Sequence, residues 1–386
     1  MKTNPPRSMS TDKSSYGSRW WPALRADWHD WREKDHARLN ARHGYLLPPK
    51  GEGKVVWIKA GASRKSVLLA CELLGALREK RLDIRLALTF EQDYRDIIEP
   101  RLRGLRKVGL GYGPNDRPKT VARVLGRLQP FGLILVDTLA HPNLPRAAAA
   151  SGTHVIAFNT APGEFDVEAA YPESASAAEA WQQSGRASHL AAAADPLSLF
   201  VEAQADTTLR SLLAAGKEAL RVWWWQGPAS AQSDFIRQWR SSTLAGEGVL
   251  FVSGEGPFEV QADLAISDWD RRPLSPGAVI ALDDPRWTAA VASAMDAGHL
   301  AAAGRRDTWQ ALAGSSPLSV APGHPLAGEA LPVLAGPEEV LKAWHSLRSA
   351  PDETRRRGDA AHRRFWQERR RAQQVIDEFL QRVFDW

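Results

Sequence analysis

Cysteine is nearly missing from this 386-residue chain: the single one, Cys71, stands in an apolar helical pattern. Intramolecular disulfides are therefore excluded and a reducing compartment fits, while a lone cysteine on an apolar face behaves as a small hydrophobe rather than a nucleophile. No uninterrupted apolar run reaches about 18 residues, so no membrane-crossing helix is expected. The first residues, MKTNPPRSMSTDKSSYGSR, have no apolar stretch of the secretory kind, and a cytoplasmic address is the expectation. The ten histidines show neither HExxH nor paired HxH spacing, and Asp283 with Asp284 is a lone acidic pair suited to capping a helix near Pro285, so no metal site is expected. A P-loop is absent too, because GPNDRPKT lacks the second glycine and the GK[ST] ending; no cofactor is implied.

With 44% apolar residues, the chain is long enough for two cores, and two domains are the starting expectation. Its net charge of +5 concentrates in Arg19 to Arg42 and in Arg355 to Arg371. The second run belongs to a pattern of one long terminal helix with Trp366, Ile376, Phe379 and Val383 toward the protein. Its charge reads first as a solvated face and then as attraction to an anionic membrane surface. No nucleic-acid partner is expected, since neither aromatic-interleaved strands nor zinc spacing accompany the charge. Near the other end, Trp20, Trp21, Leu24, Trp28, Trp31 and Leu39 recur at helical spacing with charge between them. Such a stripe either packs on its own domain or lies in a membrane interface, where tryptophan and basic residues are favoured; the second would put the protein on the inner face of the cytoplasmic membrane.

From Val55 onward strands alternate with helices. VVWIKA leads to SVLLACELLGALREK, IRLALTF to a helix around YRDIIEPRLR, and KTVARVLGRLQP precedes GLILVDT, a short helix and HVIAFN. This alternation implies a parallel sheet covered on both faces, with ligands at the C-terminal strand ends: Ala60 to Lys65, Asp137 to Asn143 and Asn159 to Glu164. The Ala- and Ser-rich tract from Glu168 to Asp195 breaks the pattern and is expected to form a small helix with loops, followed by a strand LSLFVEA. The second half, with LRVWWW, GVLFVSG, ADLAISD and AVIALDD as strands, is similar in kind. The division expected is a disordered tail over 1–17, a Trp-rich helical segment over 18–46, Rossmann-like domains over 47–215 and 216–345, and basic helices over 346–386. Two such domains facing one another leave a cleft of the kind that takes ligands.

VWIKAGASRKS with the helix and strand after it resembles the N-terminal domain of the bacterial 3-deoxy-D-manno-octulosonic acid (Kdo) transferases, whose segment reads WIHAxSVGE. FGLILVDTLAHPNLPRAAAASGTHVIAFNTAPGE is similar to a second block of that family, with ETELWPNL after one strand and NARLS after the next. The resemblance covers about residues 40–225. It implies the α/β GT-B glycosyltransferase fold, two Rossmann-like domains facing an inter-domain cleft. It also implies a CMP-activated Kdo-like donor and a lipid-linked acceptor in lipopolysaccharide or envelope glycan synthesis.

The family's presumed general base is a glutamate in the first turn; here Lys65 stands at that position and Lys59 at the family's histidine. An ammonium takes a proton only if its pKa falls greatly, which leaves Asp137, a shorter carboxylate in place of glutamate, as the best surviving acid or base. His141, four residues on, would share that work or cap the next helix. Ser63, Arg64, Thr138, Asn143 and Asn159 complete the matched positions as substrate-binding candidates; the plain alternative is turn geometry and helix capping for Asp137 and His141, and a hydrogen bond that holds the loop for Asn159. In the second half nothing matches the family's Gly-Gly-His-Asn-Pro-like turn. The nearest candidates are SGEGP from Ser253 and APGHPLAGEAL from Ala321, the latter with Gly323, His324 and Glu329 toward a donor. WWWQGP, Trp223 to Pro228, reads as a sugar-stacking platform or, more readily, as a strand end buried between domains. Two functions stay open at this point. One is a divergent, active glycosyltransferase; the other is a GT-B-like protein that has lost catalysis and binds a sugar-lipid or partners an active enzyme.

Overall fold

The computed structural model describes residues 16–386 except 19, 140, 202–206, 216–219, 228, 255–261, 284–285, 296–299, 303–307, 325 and 329. The chain divides into two compact units: the first ends at Pro196 and takes back Gln373–Trp386, and the second is Leu197–Ala372.

In the first unit, helices α1 (Trp20–Arg32) and α2 (His36–Arg42) precede a succession of strands and helices. These are β1 (Val55–Ala60), α3 (Arg64–Lys80), β2 (Arg85–Phe90), α4 (Arg95–Leu102), β3 (Val108–Tyr112), α5 (Pro118–Leu128) and β4 (Pro130–Val136). Then come α6 (Asn143–Ala150), β5 (His154–Phe158), β6 (Val167–Tyr171), α7 (Ala175–Ser184) and β7 (Ala187–Leu190). All seven strands are parallel, in the order β3-β2-β1-β4-β5-β6-β7. Between β1 and β4 the winding reverses, and the C-terminal ends of those two strands form the switch point at which open α/β sheets bind ligands.

The reason lies in the residues. Every side chain of β1 is buried, as a central strand covered on both faces requires, and the one awkward polar atom, Trp57 Nε1, donates to Thr89 Oγ1 at 2.9 Å. Ser63 caps α3, its Oγ accepting from the Ser66 N–H at 3.0 Å. Cys71 is buried in that helix, and burial pushes its thiol up to about 12, which leaves it protonated and inert.

Three stretches differ from expectation. Strand β3, VGLGY, carries two glycines and no β-branched run, so its strand character is invisible in the pattern. The Ala- and Ser-rich tract holds two further strands, β6 and β7, beside its helix; small side chains suffice there because pairing and burial, not propensity, decide. LSLFVEA begins as a 3₁₀ turn over Pro196–Leu199 instead of a strand.

The second unit runs α8 (Thr207–Leu213), β8 (Arg221–Gln226), α9 (Ala229–Arg240), β9 (Gly248–Ser253), β10 (Leu264–Ala265), β11 (Val279–Ala281), α10 (Arg286–Ala294), β12 (Leu300–Ala302), α11 (Thr308–Ala313), β13 (Leu318–Val320) and α12 (Pro337–Arg348). Its sheet is parallel too, in the order β10-β11-β9-β8-β12-β13, with β10 at the edge outside β11. The three tryptophans of β8 lie inside this unit. Trp223 and Trp225 pack with Phe235, Trp239 and Trp344 on one face, and Trp224 joins Phe251, Trp309 and Phe365 on the other. They are therefore core, and neither a sugar platform nor a strand end set between domains.

Helix α13 (Pro351–Phe384) contributes to both units. Gly358 lets it approach the loop after α11, since a Cβ there would collide with the Ser315 carbonyl oxygen. Farther on, Ile376, Phe379 and Val383 are buried as expected, whereas Trp366 is exposed and Phe365 takes the core position beside it. The last residue, Trp386, stacks on His154 with ring centroids 4.9 Å apart and covers Gly132 of β4, where any side chain would meet the indole.

Candidate functional site

The C-terminal strand ends of the first sheet and the loops after them carry ionisable and amide side chains that sort into two groups. The first is buried. Lys59, next to last in β1, donates to Glu91 Oε1 at 3.0 Å and to Thr138 Oγ1 at 3.2 Å, and both charged partners are out of solvent. His141 faces the same place: with Lys59, Tyr16, Asp116 and Thr138 it lines a cavity of about 10 Å³, room for a single water. Burial, together with the Lys59 charge, holds the imidazole below its usual range, so it is neutral at pH 7, and its Nε2 has no hydrogen-bond partner. Asp116 caps α6, accepting from the N–H groups of Asn143 and Leu144 at 2.9 and 2.7 Å, and the Asn143 amide donates to the Asp116 carbonyl at 2.8 Å. Asn143 is thus committed to holding a turn.

The second group opens at the switch point. Asp137 follows β4 with φ +43°, a left-handed conformation uncommon for an aspartate, and Asn159 follows β5 with φ +51°. Gly61 is required opposite, because a Cβ would collide with the Asp137 carbonyl oxygen. Asp137 Oδ2 accepts from Ser63 Oγ at 3.0 Å, so one hydroxyl both caps α3 and orients the carboxylate. Lys65 Nζ stands 4.0 Å from Asp137 Oδ1 and pairs directly with Glu173, just beyond β6. Burial raises the Asp137 pKa above the ordinary carboxylate range; Lys65 lowers it and Glu173 raises it further. For Lys65, burial works downward, but the carboxylates of Asp137, Glu173 and Asp195 outweigh it and the pKa is raised. The charges around Lys65 thus favour its ammonium form, which speaks against a base role for it. Both polar side-chain atoms of Asn159 are buried without a partner, which leaves an amide able to hold a hydroxyl or carbonyl.

The remaining expected residues fall elsewhere. Arg64 pairs with Asp96 on the surface and covers the Tyr94 ring. No hydrogen bond or ion pair joins His141 to Asp137 among the described residues; the two belong to different groups. In the second unit, His324 holds its own turn, its Nδ1 accepting from the Leu326 N–H at 3.1 Å, and Gly323 has φ +78° with open space where a side chain would stand. Glu329 and most of SGEGP lie outside the described residues. Among the described residues no group of three or more histidine, cysteine or acidic side chains is placed to hold a metal ion.

Glu91, Glu173 and Asp195 escaped the sequence reading. Glu91 had a usable signal, a carboxylate directly after a strand; the other two follow strands that the pattern conceals.

Comparison with known proteins places this geometry. Residues 37–163, about a third of the chain, match the family model for 3-deoxy-D-manno-octulosonic-acid transferase (kdotransferase), so the resemblance read from the motifs holds over that segment. No curated protein matches. Among solved structures, S. aureus MnaA in a co-structure with UDP is similar with a TM-score of 0.55 at 10% identity, covering 84% of this chain and 96% of its own. Anabaena Alr3699/HepE in complex with UDP-glucose is similar with a TM-score of 0.55 at 11% identity, covering 85% and 99%. A ugt transferase from Siraitia grosvenorii in complex with UDP gives 0.54 at 10%, covering 86% and 99%. At such identities the likeness establishes the fold: α/β, of GT-B type, with two Rossmann-like domains.

Proposed function

We propose that the chain is a GT-B-type glycosyltransferase, with the first unit on the acceptor side and the second taking an activated nucleotide sugar. Asp137 carries this reading. A carboxylate kept at a positive φ, desolvated and oriented by Ser63, is costly to fold, and such costs cluster at sites of chemistry. Its pKa is raised by burial, the direction that favours a general base over an ordinary carboxylate. The acceptor oxygen attacks the anomeric carbon, its proton passes to Asp137, and the nucleotide leaves with the bonding pair. Lys65 acts beside it as a fixed positive charge, and Asn159 orients the acceptor. A CMP-Kdo-like donor and a lipid-linked acceptor in lipopolysaccharide or envelope glycan synthesis are favoured by the family match over 37–163; the UDP complexes of the similar structures support a nucleotide sugar without choosing the base. In a thermal-shift titration, CMP or a CMP-sugar at a hundredfold its Kd adds about 2.7 kcal/mol to the native state and raises its melting temperature, whereas UDP does so less. A larger shift with UDP would overturn the donor assignment.

One observation favours the second reading, a binding protein without turnover: Lys59, Arg64 and Lys65 each already hold a carboxylate. On that reading no nucleotide shifts the melting temperature at all.

The Trp-rich segment bears on where this takes place. Helix α1 does not bury its aromatic stripe: Trp20, Trp21, Trp28 and Trp31 are 56, 65, 57 and 63% exposed, while Ala23 and Asp30 face inward, Asp30 paired with Arg42 at 2.7 Å. The reading in which this stripe packs on its own domain is corrected accordingly. No described helix is long and apolar enough to cross a membrane. We assign the stripe to an anionic membrane surface on the cytoplasmic side, where indoles sit at headgroup depth beside Arg25 and Arg32. Co-sedimentation with vesicles rich in phosphatidylglycerol is expected to fall at least about tenfold in a Trp20→Ala, Trp21→Ala, Trp28→Ala variant and to weaken with salt. Binding that survives both changes would exclude this surface.

A further inference from the structure

Helix α13 repeats arginine at a spacing that a solvated face does not need. Arg356, Arg357, Arg363 and Arg364 all border one cavity of about 780 Å³, with Glu353 the acidic member of its described lining. The opposite wall is made by Leu326, Ala327, Gly328, Ala330, Leu331 and Pro332, all apolar. That wall is held in shape by its own backbone: Gly328 and Leu331 exchange N–H···O bonds of 3.1 and 3.0 Å. The cavity is thus formed in advance and falls in the volume range of small-ligand sites.

Two of the four guanidinium groups are spoken for. Arg356 pairs with Glu353 at 2.6 Å and Arg364 with Glu368 at 2.8 Å. Arg357, half-buried, reaches the Ser319 hydroxyl at 3.5 Å, and neither it nor Arg363 has an ion pair among the described residues. Burial lowers the Arg357 pKa and Arg356 adds to that, against a raising effect from Glu353, so its charge lacks full compensation. The two arginine pairs stand seven residues, about two turns, apart, so both border the cavity from one face of the helix.

We propose that this arginine-walled cavity of the second unit binds a phosphate-bearing ligand, with Arg357 and Arg363 as its principal contacts and Leu326, Ala327, Leu331 and Pro332 against the ligand's less polar part. Guanidinium groups meet phosphate oxygens through paired N–H donors, and a multiply charged phosphate neutralises the wall where a singly charged carboxylate would not. The inference does not depend on Asp137, which belongs to the other unit.

The test is calorimetric titration of the full chain with inorganic pyrophosphate. The expected result is binding that weakens with salt, falls about tenfold in Arg363→Gln, and is lost in the Arg357→Gln, Arg363→Gln double variant. Arg363 is exposed, so the single variant guards against loss through misfolding. Arg355→Gln, on the same helix but outside the cavity lining, leaves binding unchanged. Displacement of bound pyrophosphate by UDP or CMP assigns the site to a nucleotide, and displacement by short-chain phosphatidic acid assigns it to a phosphorylated lipid. No binding of pyrophosphate at roughly 10 mM, or equal binding by wild type and the double variant, overturns the proposal.

Discussion

Asp137→Asn is expected to remove transfer activity by about 10²–10⁴-fold while raising the melting temperature by a few degrees. Both effects have one cause. The native state favours the protonated form of Asp137, because burial penalises its charge. Its contribution to stability is therefore fully present below the ordinary carboxylate pKa and is lost as pH rises through the raised native value; above that, the ionised, desolvated group is a burden. Asparagine removes the charge and also tolerates φ +43° better than aspartate. Lys65 keeps Glu173 as its partner, so no cation is orphaned. The stability gain should appear at neutral pH and vanish in acid, and wild-type activity should rise with pH through the same ionisation. Thermal melts of the two proteins from pH 4 to 8 check the sign, and an unchanged or lowered melting temperature of the variant at pH 7 contradicts it.

Lys59→Met is expected to be the most damaging single change to the first unit. It leaves Glu91 ionised and buried with no counter-charge, a loss of about 3–5 kcal/mol, or on the order of 10 °C in melting temperature. Lys59→Met combined with Glu91→Leu removes both charges and should recover most of that loss, since well-packed apolar side chains often replace a buried pair at little cost. Denaturant unfolding of the two single variants and the double measures the coupling directly. Simple addition of the two single losses would mean that the ion pair is not the unit that matters.

These expectations rest on parts of the molecule that differ in legibility. The order of β1, α3, β2, β4 and β5 is plain in the chain, because buried parallel strands need continuous apolar runs and VVWIKA and GLILV supply them. Strands β3, β6 and β7 are not, because glycine and alanine carry no strand signal and their pairing is set by neighbours distant in sequence. The site inherits the same division. Asp137, Lys65, Ser63 and Asn159 were visible as matched positions on visible strands; Ser63 and Lys65 meet Asp137 at the switch point, and Asn159 follows the neighbouring strand β5. Glu173 and Asp195 sit after concealed strands, so the charge that fixes Lys65 as a cation could not be foreseen. Asn143 was visible, but its commitment to Asp116 depends on a loop whose approach only the fold reveals. The tryptophans failed in the opposite sense. Those of α1 are exposed and those of β8 are core, because helical and strand spacing report which residues share a face and not what covers it.

The most direct test of the central claim is release of free nucleotide from CMP-Kdo, and from a panel of other CMP- and UDP-sugars, by wild type and Asp137→Asn in the presence of a lipid A precursor. Acceptor-dependent release by wild type, lost in the variant while its fold and nucleotide binding persist, is the predicted result. Release from no donor by either protein would contradict a general base at Asp137 and leave the chain a binding protein.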